Sequence, residues 1–193
     1  MRIAGLILAG GEGRRMGAEK ALVALAGRPL VAHVAARLAP QVAALALSAN
    51  GDGMRFAALG LPVLPDRPGE AGQGPLAGLR AGLAWAGQIG AEALVSVATD
   101  TPFLPEDLVA RLAAPGGPAY AQSGGRSHYT AALWPLALEE TIAAQFAAGE
   151  RRLRVALAGA QPVAFEAAPD PFANLNTPED LAQAEARLRE GRP

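Results

Sequence analysis

Cysteine is absent from this chain of 193 residues, which excludes disulfides, zinc–thiolate sites and thiolate nucleophiles. Two histidines are too few for an imidazole metal cluster. Neither charge sign is in excess: 17 Lys+Arg face 18 Asp+Glu, and a net charge of −1 gives no footprint for duplex nucleic acid. No apolar stretch of about 18 residues runs without a charge, glycine or proline, so a membrane-spanning helix is not expected. The start, Met1-Arg2-Ile3, leads directly into a strand-like run with no small-residue cleavage site behind an apolar segment, and the expected location is the cytoplasm. Lysine is the scarcest cation: Lys20 is the only one among the 17. Any chemistry must therefore come from carboxylates, arginines, amides, that lysine and a bound hard cation, a donor set suited to phosphates.

The length suits one domain with a full core, 51% of residues are hydrophobic, and no linker or repeat divides 1–193. Apolar runs at 3–8, 42–47, 62–64 and 93–98 read as buried strands. Between them, helical stripes begin at Pro29 (Leu30, Val34, Leu38) and at Pro75 (Leu76, Leu79, Leu83), as prolines at first turns allow. Strand and helix in alternation predict an α/β fold of three layers, with a mostly parallel sheet covered on both faces. The second half adds β-like stretches at 119–123 and 128–134 around Gly124-Gly125-Arg126, compatible with antiparallel pairing. A helix is expected over 136–148 and a strand over 161–165. A last helix is capped by Thr177 with Pro178 in its first turn.

The stretch Leu6–Leu22, LILAGGEGRRMGAEKAL, places glycines directly after a buried strand, where backbone N–H groups can approach phosphate oxygens. It is neither a dinucleotide fingerprint, since Met16 stands where the third glycine belongs, nor a P-loop, since Ala21 follows Lys20. Arg14, Arg15 and Lys20 arriving together suit a triphosphate, and lysine offers a compact charge that can follow a phosphoryl group through reaction. Ligands in open α/β sheets collect at the carboxyl ends of strands, and Asp66 and Asp100 each end one. Asp100 is the better magnesium candidate, because that ion needs only one or two carboxylates beside phosphate oxygens and water. An aspartate there can also cap a following helix, and Asp66 can equally be a turn residue before Arg67-Pro68-Gly69.

Leu8-Ala9-Gly10-Gly11, Arg15-Met16-Gly17 and Lys20 together resemble the L-A-G-G-x-x-x-R-M-G-x-x-K signature of nucleotidyltransferases with a glycosyltransferase-A-like fold. The likeness extends to Gly74-Pro75-Leu76-Ala77-Gly78, Asp100-Thr101-Pro102, Gly149-Glu150-Arg151-Arg152 and Asn174-Leu175-Asn176-Thr177-Pro178-Glu179. With these it is similar to the molybdenum cofactor guanylyltransferases over nearly the whole chain. The resemblance implies that GMP passes from GTP to the terminal phosphate of molybdenum-molybdopterin with release of pyrophosphate. It implies Mg2+ on Asp100, catalysis by Arg15, Lys20 and Asp100, and nucleotide contact from Leu8, Ala9, Gly10, Gly11, Lys20, Asn50, Asp66 and Asp100. Residues 1–115 are then the nucleotide part and 116–193 the molybdopterin part. Two departures stand out: Ser48 where relatives have the first amide of N-x-N, and Glu19 where aspartate is usual.

For the second substrate the candidates are Arg151 and Arg152, whose forks suit phosphate, and Asn174 and Asn176, spaced to point the same way along an extended segment. The bland alternatives are a solvated helix start and loop or cap chemistry. His128 is either a pterin contact or a satisfied strand-end histidine, and His33 is read as structural. An ionised phosphate nucleophile needs no general base, in keeping with so little histidine. Competing readings are a cytidylyltransferase of the same pathway, a branch that tends toward L-A-A-G, a sugar-phosphate nucleotidyltransferase, and a non-catalytic nucleotide-binding adaptor. Transient contact with molybdopterin-synthesis proteins and target molybdoenzymes is also expected.

Overall fold

A computed structural model describes residues 1–10 and 19–190. Gly11, Arg14, Arg15, Met16 and Gly17 lie outside the described residues.

The order along the chain is β1 (Ile3–Leu8), the short hairpin β2 (Ala24–Leu25) and β3 (Arg28–Pro29), α1 (Leu30–Leu38), β4 (Ala44–Ser48), β5 (Val63–Leu64), α2 (Pro75–Gln88) and β6 (Ala93–Ala98). Then come α3 (Leu108–Ala113), β7 (Ala119–Ser123), β8 (Arg126–Pro135), α4 (Glu139–Ala147), α5 (Leu153–Ala156), β9 (Gln161–Ala164) and α6 (Pro178–Arg189). One seven-stranded sheet runs β5-β4-β1-β6-β8-β7-β9, and β2-β3 stand apart. The strands β5, β4, β1 and β6 are mutually parallel. Among the described strands of this sheet β8 alone runs against its neighbours, for β7 and β9 return to the common direction. The expected antiparallel addition is therefore a single strand.

Alternation along β1 explains the three layers, since successive side chains leave opposite faces. Ile7 joins Leu45 in β4, Val95 in β6, Val34 of α1 and Leu108 of α3 on one face. Leu6 and Leu8 join Leu79 of α2, Trp134 of β8 and Ile142 of α4 on the other. With both faces covered, the strands read as the continuous apolar runs seen in the sequence. On the second face α2 lies very close to the sheet. A Cβ on Gly82 would come 2.4 Å from Leu6 Cδ2, and one on Gly78 would come 2.3 Å from Ser48 Oγ. These two glycines, one helical turn apart, leave no room for any side chain.

Three local details differ from expectation. Pro29 ends β3 rather than starting the helix: its ψ is 143°, and Leu30 N donates to Val23 O at 2.9 Å, which keeps the chain extended to that point. The helix expected at 136 begins as a 3-10 turn over Leu136–Leu138. The sequence reading missed α3, too short at six residues to show a convincing stripe.

Candidate active site

Parallel pairing puts the carboxyl ends of β5, β4, β1 and β6 on one edge of the sheet, and the chain leaves that edge at Pro65, Ala49, Ala9 and Thr99. The side chains of Leu8 and Ala9 are buried, and Ala9 N donates to Ser48 O at 2.9 Å. Any ligand contact from these two residues is therefore through backbone. Gly10 is exposed, and among the described residues a Cβ there would meet nothing within 4 Å.

Lys20 opens a 3-10 turn, Lys20–Leu22, that carries it back over this edge. Its Nζ donates to Asp100 Oδ2 at 2.8 Å and also to Asn176 Oδ1. Both partners of the ion pair are largely shielded, each side chain 19% exposed. An ammonium has three N–H donors, and among the described residues two are engaged. Asp100 Oδ1 has no hydrogen-bond partner among the described residues. The helix-cap alternative for Asp100 fails: α3 starts eight residues later and has Asp107 at its N-cap position.

Asn176 comes from far along the chain, and four bonds hold the segment around it there. Leu175 N donates to the Asp100 carbonyl at 2.9 Å. Asp180 Oδ2 accepts from Asn176 N at 2.8 Å and from Thr177 N at 2.9 Å, while Asp180 N returns to Thr177 Oγ1 at 3.1 Å. This capping box fixes the start of α6 and the residue before it together. The bonds from Asn176 and Thr177 amides hold the Asp180 carboxyl below its ordinary range. Asn174 is exposed.

On the β4–β5 side, Asn50 Nδ2 donates to Asp66 Oδ2 at 2.6 Å, and Asp66 N donates to Asn50 Oδ1 at 2.9 Å. Gly72 N also reaches Asp66 Oδ2, at 3.3 Å. The asparagine thus clamps the aspartate, which keeps Oδ1 without a partner among the described residues. Ser48 is 3% exposed, and its Oγ fills the space beneath Gly78, which directs it into the α2 contact rather than onto the rim.

A lysine, two aspartates each with one oxygen unpartnered among the described residues, and an amide thus lie on the carboxyl edge of a parallel sheet. Comparison with known proteins gives the lineage of the chain. Residues 5–164 match the MobA-like NTP transferase domain. The chain is 70% identical over its full length, and the full length of the relative, to a molybdenum cofactor guanylyltransferase of Rhodobacter capsulatus. The chain belongs to the molybdenum cofactor guanylyltransferase family. Another member, from Acidiphilium cryptum, is 49% identical over 94% of this chain and 93% of its own. In fold, molybdopterin-guanine dinucleotide biosynthesis protein A of Archaeoglobus fulgidus superposes with a TM-score of 0.75 at 23% identity, covering 97% of this chain and 99% of that one. The 2-C-methyl-D-erythritol 4-phosphate cytidylyltransferase of Thermus thermophilus gives 0.67 at 21% identity, covering 95% and 98%.

In this member of the guanylyltransferase family the later half borders the same rim. Arg151 sits against Gly74 at the head of α2, its Cβ 3.7 Å from where a Gly74 side chain would begin. Its guanidinium is engaged: Nη1 donates to the carbonyls of Phe146 and Glu150 at 2.7 Å, Nη2 to Gln73 Oε1 at 2.5 Å, and the group lies 3.9 Å from the Phe146 ring centroid. Arg152 is more open, its side chain 61% exposed, with Nε 2.8 Å from Glu150 Oε1 and Nη2 2.7 Å from Oε2. That side-chain contact, with both arginine backbone amides, holds the Glu150 carboxyl at about 2. An open cavity of about 660 Å³ is lined by Gln145, Ala148, Gly149, Glu150, Arg151 and Arg152.

His128 Nε2 and Ser123 Oγ are 2.8 Å apart, Ser123 Oγ donates to Asp170 Oδ1 at 2.8 Å, and the imidazole stacks on Phe172 at 4.8 Å. A carboxylate only accepts, so the serine proton goes to Asp170 and His128 Nε2 must carry the proton it gives to Ser123. Its Nδ1 is then an acceptor. His33 Nε2 sits 2.9 Å from the Leu25 carbonyl and stays with the β2–β3 hairpin.

Among the described residues no group of three His, Cys, Asp or Glu could hold a metal ion. Asp100, with one carboxylate oxygen unpartnered among the described residues, could hold a magnesium that takes its other ligands from substrate and water. Arg55 escaped the sequence reading, yet its Nε–H reaches Glu19, the residue before Lys20, at 2.7 and 3.0 Å. It lies 36 positions away with no motif around it, so only the fold could have shown the pair.

Proposed function

We propose that this chain transfers GMP from GTP to the terminal phosphate of molybdopterin carrying molybdenum. A phosphate oxygen of the pterin attacks the α-phosphorus of GTP, the bond to the β-phosphate oxygen breaks, and pyrophosphate leaves with the electron pair. The attacking oxygen is already ionised, so no proton has to be removed, and the protein supplies position and charge. The observation that carries the reading is the meeting of Lys20, Asp100 and Asn176. It supports a reading in which Lys20 is the cation for the triphosphate, Asp100 the carboxylate for the ion and Asn176 an amide from the molybdopterin part.

In this reading Lys20 gives its remaining N–H to a triphosphate oxygen, together with Arg15. Mg2+ on Asp100, when bound, would offset charge on the phosphates. The backbone of Leu8, Ala9 and Gly10 lines the nucleotide, Gly11 contributes to its binding, Asp66 Oδ1 accepts from the guanine edge, and Asn50 acts by holding Asp66. Asn176 keeps its Nδ2 for the second substrate, with Asn174 beside it. Arg152 offers its fork to a phosphate, and Arg151 shapes the wall between α2 and α5. The nucleotide part is 1–115 and the molybdopterin part 116–193. The reaction is placed in the cytoplasm, with transient contact to molybdopterin-synthesis proteins and target molybdoenzymes. No helix among the described residues is long and apolar enough to cross a membrane.

The test is incubation of the chain with molybdopterin carrying molybdenum, magnesium and each nucleoside triphosphate in turn, following pyrophosphate. Release with GTP and not with CTP is expected. Release with CTP alone would make the chain a cytidylyltransferase, and release with neither would remove the transferase reading.

A further inference from the structure

Glu19 and Lys20 are neighbours in sequence, but they face different partners. Lys20 turns to Asp100 and Asn176, while the Glu19 carboxylate receives Arg55 Nε–H, shared between Oε2 at 2.7 Å and Oε1 at 3.0 Å. The other arms of the same guanidinium are already held. Nη2 donates to the Asn50 carbonyl at 2.6 Å, and Nη1 donates to the Asp52 carbonyl. The guanidinium also lies 4.6 Å from the ring centroid of Phe56, a residue only 2% exposed. Two of the three nitrogens are thereby held by the loop after β4, which fixes the planar group before its Nε–H meets Glu19, and a rigid fork loses little freedom in taking that further acceptor. With side chains 25% and 31% exposed, the pair is better shielded than an ordinary surface ion pair.

A chain of contacts follows from this. Asp66 is clamped by the Asn50 side chain, and the Asn50 carbonyl holds Arg55. Arg55 holds Glu19, and one peptide link separates Glu19 from the lysine at the centre of the site. The turn that carries them is short: Leu22 N donates to Glu19 O at 2.9 Å and Val23 N to Lys20 O at 3.2 Å. A shift of the Glu19 backbone is therefore passed directly to Lys20. Among the described residues, the other contacts of Arg55 (Asn50, Asp52 and Phe56) stay within the β4–β5 connection, and the Glu19 bond alone leaves it.

We propose that Arg55 is a positioning residue for the transfer reaction: acting through Glu19 it sets the place of Lys20 relative to Asp100, and through Asn50 it ties that placement to the carboxylate that reads the base. It touches no reacting atom. Misplacing a catalytic group by about 1 Å can cost on the order of 100-fold in rate, so losing this brace should show in turnover more than in folding.

This rests on the guanylyl-transfer reading above. The experiment compares wild type, Arg55→Met, Glu19→Gln and the double variant by kcat, KM for GTP, equilibrium GTP binding and thermal midpoint. Glu19→Gln leaves every bond within the β4 loop in place and serves where Arg55→Met folds poorly. Each single variant is expected to lower kcat by about 10-fold or more while GTP binding weakens less, and the double variant is expected to be no slower than the slower single one. Arg55→Lys should not rescue, since one ammonium cannot span two carbonyls and a carboxylate. Unchanged kcat with only a lower midpoint, or single effects that multiply in the double variant, would overturn the proposal. A wild type that releases no pyrophosphate would instead defeat the guanylyl-transfer reading.

Discussion

Lys20 and Asp100, 80 residues apart, meet with Nζ 2.8 Å from Oδ2 at the carboxyl edge of the sheet. Each is the other's counter-charge, and in the proposed reaction each would turn to a magnesium-bound triphosphate. Lysine is suited to this exchange because its ammonium can turn from carboxylate to phosphate on a flexible stem. Arg in its place would keep the charge but bring a broad fork. Lys20→Arg is therefore expected to bind GTP yet turn over about 10-fold or more slowly, and Lys20→Met to lose about 100- to 1,000-fold in kcat. Steady-state rates beside equilibrium GTP binding check this; wild-type kcat in Lys20→Arg would contradict it.

Asp100→Asn keeps size and hydrogen bonding while removing the charge. Turnover should fall at least about 100-fold, and added magnesium should not restore it. Circular dichroism should remain that of wild type, because Leu175 binds the Asp100 backbone rather than its side chain.

Much of this site was legible in the sequence because strand ends are easy to find when both faces of a strand are buried. The runs at 3–8 and 93–98 read plainly, and the aspartate ending the second was thereby placed beside the glycine loop. Thr177 and Pro178 announced the start of α6, whereas the return bond from Asp180 shows only in the fold. What stayed hidden depends on contacts between distant segments. Asn176 could be paired with Asn174 by spacing, yet nothing local shows that it lands on Lys20, 156 positions away. Asn50 was expected at the nucleotide, and nothing local shows that its side chain also holds Asp66. Parallel pairing of β9 with β7 was equally invisible, since its short run fits several neighbours.

Gly82 tests the packing that brings α2 onto the sheet. Alanine is the better helix former by about 1 kcal/mol, but overpacking a tight core costs about 1–3 kcal/mol. With Leu6 Cδ2 2.4 Å from the new methyl and both Leu6 and Leu94 fully buried, the clash wins. Gly82→Ala should lower unfolding stability by about 1–2 kcal/mol in denaturant titration. Combined with Leu6→Val, which trims the offending methyl, it should cost less than the two single changes added together.

Burial pushes the His128 imidazole below its ordinary pKa; Arg126 acts in the same direction, and Asp170 opposes both. The unfolded chain then binds this proton more readily than the folded one. Stability should hold above the unperturbed histidine value of about 6.5 and decline as pH falls below it. Urea midpoints at pH 7.5 and pH 5 for wild type and His128→Asn isolate this residue: the wild type is expected to lose more over that interval. Equal losses would show that the imidazole keeps its ordinary affinity in the fold.

The most direct test is a crystal structure with magnesium and a non-hydrolysable GTP analogue. The account predicts a phosphate oxygen within hydrogen-bond distance of Lys20 Nζ, the metal on the Asp100 carboxylate at about 2.1 Å, and the guanine edge on Asp66. A nucleotide lodged elsewhere, with Lys20 and Asp100 still joined to each other, would contradict it.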